Sequence, residues 1–339
     1  MNCGKRIAPW TVALFVVFLL GIGVGWELGC HTSSVKNTTG RGKEERLRGG
    51  YRLINPLLEC EFAGDTLRER ELQPFKDKVK SFIKTSLDSG RARSISVYYR
   101  DLDSGETFNI GGNDGYAPAS LSKLPVMIAL LKKAEQDPQF LRKRVAFNGD
   151  KDWTAEQNIK PLKTIARGKS YSIEELINYM MAYSDNNAWS LLFQQLDVPT
   201  LDRVMADLGV DYQRVGDDEL VTVKSYGRFL RILYNASFLS KEMSEKALTY
   251  LLADDFPQGL TAGVPKGIPV ASKFGERTSG VNNEDKQLHD FGIIYYPGRP
   301  YLLCVMTRGD NFNKLTDVIR DISKLVYEEV DKQIISHRY

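Results

Sequence analysis

The sequence predicts a mixed α/β domain: an antiparallel sheet built from N- and C-terminal strands, flanked by helices, with a mostly helical subdomain inserted. Two strand patterns come early and three come late, and the stretch between them, residues 119–256, is mostly helical in pattern. Strands so distant in sequence imply one unit whose sheet is closed by both ends of the domain. A chain of 339 residues with 42% hydrophobic content can bury such a core.

The early elements are a helix and a hairpin. Residues 65–88 place apolar side chains at helical spacing, from Leu72 to Ile83. The segment SISVYYRDLDSGETFNIGG alternates, turns at the letters DSG and alternates again, which is typical of a β-hairpin. Strands return in IPVASKF, HDFGIIYYP and YLLCVMTRG, and a last amphipathic helix covers residues 312–333.

Residues 1–30 predict an N-terminal membrane anchor. The uncharged run IAPWTVALFVVFLLGIGVGW, residues 7–26, has the length of a transmembrane helix, since about 20 residues span roughly 30 Å of hydrocarbon. A cleaved signal peptide is the alternative. Residues 31–49 are polar and non-periodic, which indicates a flexible tether, and residues 50–339 form the folded body.

The charge pattern excludes one class of partner. Residues 1–49 hold seven Lys/Arg and three Glu, whereas the rest of the chain holds 39 Lys/Arg and 40 Asp/Glu, so the body is nearly neutral. No basic stripe interleaves with aromatic residues, and no nucleic-acid partner is expected. No His/Cys/Asp cluster has metal-ligand spacing, so neither a metal nor a cofactor is expected, and His289 is interpreted as structural.

A serine and a lysine stand three residues apart in YAPASLSKLPVMIALLKK. Residues 121–133 predict a helix, with Pro125 tolerable only in its first turn. Side chains at i and i+3 of a helix are neighbours, so Lys123 can reach the hydroxyl of Ser120. A desolvated lysine near other cations loses proton affinity and can act as a general base. The plain alternative is that Ser120 caps the helix and Lys123 lies at the surface.

Two further motifs follow at a distance. Ser184 and Asn186 belong to the S-D-N at the head of a helical run, 64 residues after Ser120. The Ser184 hydroxyl could relay a proton, and the Asn186 amide can donate to and accept from a substrate amide. Lys273 and Gly275 belong to a K-F-G on a late strand, where a cation beside a small residue can orient an anionic substrate. Taken alone, the S-D-N motif is an ordinary helix cap, and the K-F-G motif alone predicts no function.

In this order and spacing the three motifs resemble the S-x-x-K, S-D-N and K-T-G set of class A β-lactamases and penicillin-binding proteins. The resemblance covers roughly residues 60–335. It implies a serine hydrolase on the extracytoplasmic side of the membrane that forms an acyl-enzyme with β-lactams or D-Ala-D-Ala-like peptides. More basic residues follow the predicted span than precede it, which by itself argues against this orientation.

The resemblance assigns roles by matching motif. Ser120 would be the nucleophile, Lys123 the base or its partner, and Ser184 the proton relay. Asn186 would hold the side-chain amide of the substrate. The oxyanion hole would combine the backbone N–H of Ser120 with one from the late strand, two residues after the motif glycine, at Arg277.

The third motif departs from the family pattern. Lys273 would hold the carboxylate end of the substrate, with Gly275 as the small residue of the motif. Phe274 replaces the Thr or Ser of K-T-G and removes a hydroxyl that would bond the same carboxylate. Arg277 would supply part of that binding.

A second departure concerns deacylation. Class A β-lactamases carry E-x-x-L-N on an omega loop, whose Glu activates the deacylating water. Here the segment LGVDYQRVGDDELVTVKSYGRF leaves little room before the next helix, which starts near Thr222. Asp217, Asp218 and Glu219 are a loose match without the Asn, and a solvated turn and helix start is the plain alternative. The sequence therefore predicts slow deacylation.

Other interpretations stay open. A non-catalytic domain that senses β-lactams or wall fragments would use the same fold. A glutaminase-like amidase would also use a serine and a lysine. Those enzymes are cytosolic, so the apolar run at residues 7–26 disfavours this interpretation. Cys60 and Cys304 could form a disulfide in an oxidising compartment or remain two buried thiols.

Overall fold

The molecule is built on a five-stranded antiparallel sheet. This computed structural model describes residues 44–46, 51–60, 72–149, 151–210, 212–215 and 218–336. The strands are β1 (Glu44–Arg46), β2 (Leu57–Cys60), β3 (Ser94–Asp101), β4 (Thr107–Ile110), β5 (Arg144–Phe147), β6 (Lys169–Ser172), β7 (Gln213–Val215), β8 (Asp218–Leu220), β9 (Val270–Ser279), β10 (Asp285–Ile294) and β11 (Tyr301–Gly309). The α-helices are α1 (Gln73–Asp88), α2 (Lys123–Gln136), α3 (Ile173–Ala182), α4 (Asn186–Phe193), α5 (Val198–Asp207), α6 (Val223–Tyr234), α7 (Lys241–Leu251) and α8 (Phe312–Ser336).

The sheet confirms the predicted closure by sequence-distant strands. Its order is β4-β3-β11-β10-β9, and every neighbouring pair is antiparallel. The early hairpin supplies β3 and β4, and the late meander supplies the other three strands. Strands β9 and β10 are longer than predicted because their polar ends, 275–279 and 285–288, lack the apolar alternation that marks a strand.

The sheet is covered on both faces, which explains why β11 is continuously apolar from Tyr301 to Met306. Successive side chains of a strand point to opposite faces. Leu302, Cys304 and Met306 therefore pack with the helical subdomain, while Leu303 and Val305 pack with α1 and α8. The subdomain is a continuous insertion between β4 and β9, as predicted.

Helix α2 is the central helix of the inserted subdomain. Its residues 123–131 are all buried, so its apolar surface extends all round, as expected of a core helix. Lys123 is its first residue, and Pro125 lies within its first turn, where the missing N–H has no intrahelical partner to lose. The packing of α2 thus fixes where the Lys123 side chain begins.

The segment before α6 is a β-ribbon. Strands β7 and β8 pair antiparallel, and Val221 then exchanges two backbone hydrogen bonds with Tyr116, at 2.8 and 3.0 Å. Helix α6 begins after its N-cap Thr222, close to the predicted start. The interpretation of Asp218 and Glu219 as a turn and helix start is wrong, because both lie in β8. Asp217 lies outside the described residues.

Most of the N-terminal predictions concern residues that the structure does not describe. The run 7–26 and most of the tether 31–49 lie outside the described residues. Residues 44–46 of the tether form β1, paired with β2, so this part of the predicted tether is a strand. No helix among the described residues is long and apolar enough to span a membrane.

Cys304 is a free thiol, fully buried, and burial raises its pKa.

Candidate active site

Ser120 lies on a strained turn. A single turn of 3-10 helix, Ala119–Ser122, runs directly into α2. Ala119 has φ +50°, a left-handed conformation that costs a residue with a side chain about 1–3 kcal/mol. Such strain persists only where neighbouring structure enforces it, and it clusters at functional sites. The turn therefore holds Ser120, which is half-buried, in an enforced position.

Side chains of β10 hold the backbone that leads into this turn. The N–H of Ala117 donates to Gln287 Oε1 at 3.1 Å, and the carbonyl oxygen of Ala117 lies 3.0 Å from His289 Nε2. Because a carbonyl can only accept, Nε2 carries the proton and donates. Burial lowers the pKa of His289 to about 4, so the ring is neutral at pH 7. His289 thus positions the chain before Ser120, which fits its structural interpretation.

The Lys123 amine lies at the centre of the site. Its side chain is 2% exposed, and Nζ lies 3.1 Å from Ser120 Oγ and 3.1 Å from Ser184 Oγ. Nζ also lies 2.8 Å from the Ser184 carbonyl oxygen and 2.6 Å from Asn186 Oδ1. Burial, followed by repulsion from Lys273, lowers the pKa of Lys123 well below its usual value. A neutral amine here has a lone pair that can take the proton of the Ser120 hydroxyl.

The S-D-N turn is built around a buried carboxylate. Ser184 has φ +53°, a second left-handed residue within the site. Asp185 is the N-cap of α4 and accepts from the Asn187 N–H at 2.8 Å. The same carboxylate accepts from the Ile165 N–H at 2.9 Å and from Thr164 Oγ1 at 3.0 Å. The helix-cap interpretation is therefore correct for Asp185, and the cap fixes Ser184 and the start of α4 against a neighbouring loop.

Gln157 is a site residue that the sequence did not reveal. Its amide Nε2 donates to the Ser184 carbonyl oxygen at 3.1 Å, and its Oε1 accepts from the Asn186 N–H at 3.3 Å. This pair of bonds holds the turn in addition to the cap made by Asp185. Gln157 lies in an irregular segment with no periodic pattern or motif, so only the folded chain identifies it.

Lys273 on β9 is fully buried beside an acid. Its Nζ lies 3.3 Å from Asp254 Oδ1, and the two side chains are 0% and 2% exposed. Burial raises the pKa of Asp254 to about 6 against the opposing pull of Lys273, so the carboxylate is ionised at pH 7. Burial also lowers the pKa of Lys273, while Asp254 acts in the opposite direction. Asp254 follows α7 and carried no signal in the sequence.

Gly275 allows β9 to lie directly against the turn of Ser120. A Cβ at this position would stand 2.9 Å from the Leu121 nitrogen, 3.1 Å from the Ser120 nitrogen and 3.1 Å from the Pro118 oxygen. These atoms belong to backbone, which cannot move aside as a flexible side chain would. Only glycine therefore permits this approach.

The hydrogen-bonding pattern between β9 and β10 shows which way the N–H of Arg277 is directed. The Tyr295 N–H donates to the Pro269 carbonyl at 3.0 Å, and the register continues without a bulge. Because hydrogen-bonded pairs alternate in an antiparallel ladder, the N–H of Arg277 is directed towards β10. The N–H of Glu276 is directed outward, at the open edge of the sheet where the Ser120 turn lies. The expectation that Arg277 supplies the second oxyanion donor is therefore wrong by one residue, because the outward N–H belongs to Glu276.

The Glu276 side chain links β9 to the segment that carries Gln157. Its carboxylate accepts from the Asn158 N–H at 2.8 Å, from Asn158 Nδ2 at 2.6 Å and from the Ile159 N–H at 3.3 Å. The edge strand, this segment and the S-D-N turn are therefore connected around Lys123. Glu276 directly follows the K-F-G motif in the sequence, but the motif predicts no role for its side chain.

The remaining candidates lie elsewhere or are incompletely described. Glu219 is exposed on the β-ribbon, and the side chains of Asp217 and Asp218 are outside the described residues. Within the described part of the chain, no group of three or more His, Cys, Asp or Glu side chains could hold a metal ion.

The comparisons with known proteins agree with this fold. The chain is 23% identical over 301 residues to the extended-spectrum β-lactamase PER-1 of Pseudomonas aeruginosa, covering 81% of this chain and 96% of that protein. A class A β-lactamase structure from Mycobacterium abscessus superposes with a TM-score of 0.62 at 22% identity, covering 75% and 98% of the two chains. A variant of PBP-A in an acyl-enzyme complex with penicillin G gives 0.64 at 20% identity, covering 76% and 97%.

Fold and relatives together define a serine hydrolase of the β-lactamase type. The model of the beta-lactamase enzyme family matches residues 75–330, most of the chain, and the protein belongs to that family.

Proposed function

We propose that this protein is a membrane-anchored, extracytoplasmic acyl-transferring hydrolase that forms an ester with β-lactams or D-Ala-D-Ala-like peptides through Ser120 and deacylates slowly. One observation carries the proposal: the buried Lys123 amine lies within hydrogen-bond distance of Ser120 Oγ, Ser184 Oγ and Asn186 Oδ1. The acyl-enzyme of PBP-A with penicillin G, on a similar fold, supports the choice of ligand class.

The reaction follows from these positions. The Lys123 lone pair takes the Ser120 proton while Oγ attacks the carbonyl carbon of the substrate. The oxygen that becomes negative accepts from the backbone N–H groups of Ser120 and Glu276. The proton then passes from Lys123 through the Ser184 hydroxyl to the departing nitrogen as the C–N bond breaks. Asn186 Nδ2 would donate to the substrate amide, at the cost of its 3.4 Å contact with a backbone carbonyl.

Slow deacylation is proposed from the β-ribbon. The hydrolysis of the ester needs a second water activated by a base. In the class A β-lactamases that base is a Glu on the omega loop. Here strands β7 and β8 occupy the corresponding stretch of sequence, and Glu219 on the ribbon is exposed. The loss of one positioned general base costs about 10²–10⁴ in rate.

The first prediction concerns the nucleophile. Ser120→Ala should abolish covalent labelling by a fluorescent penicillin, because Ser184, the other hydroxyl that contacts the Lys123 amine, is 1% exposed, whereas Ser120 is only half-buried. Mass spectrometry of the labelled peptide checks the site. Ser122→Ala, in the same turn, is the matched control and should label normally. Labelling of a correctly folded Ser120→Ala protein would refute the assignment.

The second prediction concerns the base. Lys123→Ala should slow acylation by about 10²–10⁴, whereas Lys133→Ala, an exposed lysine on the same helix, should change it little. The unaltered protein should acylate faster as pH rises through the lowered pKa of Lys123, since only the neutral amine accepts a proton. Stopped-flow labelling across pH 5–9 measures both effects, and a loss under threefold would make Lys123 structural.

The third prediction concerns turnover. With nitrocefin the protein should give a burst near one equivalent followed by slow hydrolysis, because acylation outruns deacylation. Glu219→Gln serves as the control and should leave the slow phase unchanged. Rapid hydrolysis without a burst, or a slow phase that falls in Glu219→Gln, would show that a deacylating base is present.

The fourth prediction concerns location. If residues 7–26 anchor the chain with its body outside, a protease added to intact cells should release the catalytic domain by cutting within residues 31–43. A cytoplasmic protein expressed in the same cells controls for lysis. Protection in intact cells with cleavage only after lysis would place the domain in the cytoplasm.

A further inference from the structure

At the leaving-group end of the site, the positive charge of Lys273 is already paired. Lys273, the residue whose motif position would hold a substrate carboxylate, is 0% exposed and ion-paired with the equally buried Asp254 at 3.3 Å. The two formal charges cancel at pH 7. A buried ion pair of this kind is costly to break, because either partner left alone would be an uncompensated charge in the interior.

A second buried acid lies close to this ion pair and leaves its neutrality unchanged at pH 7. Asp290 stands opposite Phe274 in the ladder, is fully buried, and interacts electrostatically with both Lys273 and Asp254. Its Oδ2 accepts from the Leu260 N–H at 2.8 Å. Burial raises the pKa of Asp290 to about 8, so this carboxyl group is protonated at pH 7 and adds no charge to the Lys273–Asp254 pair. A ligand carboxylate here would meet a neutral ion pair rather than a free ammonium group.

Phe274 removes the other means of holding a carboxylate. Its ring stacks on Phe256 with centroids 4.5 Å apart, and the Lys273 ammonium lies 4.1 Å from the Phe274 ring centre. The ring supplies no hydrogen-bond donor where a Thr would supply a hydroxyl. It also holds the ammonium through a cation–π contact that favours its present position.

We infer that the enzyme needs no carboxylate next to the scissile bond and reacts at least as fast with acyl donors whose leaving group is uncharged there: esters, amides, or peptides that continue past it. This inference rests on the proposed function, because it requires an acyl-enzyme at Ser120. The chemistry is the acyl transfer already described: the C–N or C–O bond of the donor breaks, and the leaving atom receives the Ser120 proton. Only the charge of the leaving group is specified in addition.

The test compares one compound with and without its carboxylate. Benzylpenicillin and its methyl ester are reacted with the full-length protein at pH 7, and second-order acylation constants are measured by competition with a fluorescent penicillin. The inference expects the ester to react at least as fast as the acid. A preference for the acid of tenfold or more would overturn it.

Matched variants locate the cause. Asp254→Asn leaves the charge of Lys273 uncompensated and should raise the acid-to-ester ratio about tenfold, whereas Asp255→Asn, the neighbouring acid, should leave the ratio within threefold. If the melting curve shows that Asp254→Asn does not fold, Phe274→Thr tests the same point and should also raise the ratio. Unchanged ratios in folded variants would overturn the inference.

Two outcomes separate this inference from the proposed function. If neither compound labels Ser120, the proposed function itself fails. If both label Ser120 but Arg277→Ala slows the acid at least tenfold and leaves the ester unaffected, Arg277 binds the carboxylate and only the preference for neutral donors is wrong. The ester rate thus reports on the acyl-enzyme and the ratio reports on the charge preference.

Discussion

The burial of the Lys123 amine is the constraint on which the rest of the site depends. An amine with 2% exposure must find hydrogen-bond partners within the protein, because an unpaired buried polar group is expensive. Its partners come from the 3-10 turn that precedes its helix and from the S-D-N turn, 61 residues and more along the chain. The apolar packing of α2 cannot be completed without closing this polar cluster, so fold and site form together.

The second constraint is the contact between the edge of the sheet and the turn of Ser120. Gly275 brings backbone against backbone, and Gln287 and His289 on the next strand hold the Ala117 peptide on both sides. These three residues come from the C-terminal third of the chain, whereas the left-handed Ala119 that they help to fix is in the first half. The late strands therefore position Ser120, the proposed nucleophile, as well as closing the sheet.

The parts of this structure that could be predicted are those with local signals. The spacing of Ser120 and Lys123 follows from helical geometry, and the meander follows from alternating apolar runs. The role of Gln157 could not be found, because it depends on where an irregular segment lies after folding. That the N–H of Glu276, and not that of Arg277, faces the open edge of the sheet depends on which pairs of the β9–β10 ladder are hydrogen-bonded. Alternation shows which residues share a face but does not show which N–H groups face outward.

The two buried lysines, Lys123 and Lys273, are electrostatically linked. After burial, repulsion from Lys273 lowers the pKa of Lys123, whereas Asp254 acts in the opposite direction. Asp254 keeps Lys273 charged in the interior, and Lys273 in turn favours the neutral form of the base. In the proposed mechanism, a cation engaged in this way favours proton transfer from Ser120 to Lys123, and the same pairing disfavours its use as an anchor for an anion.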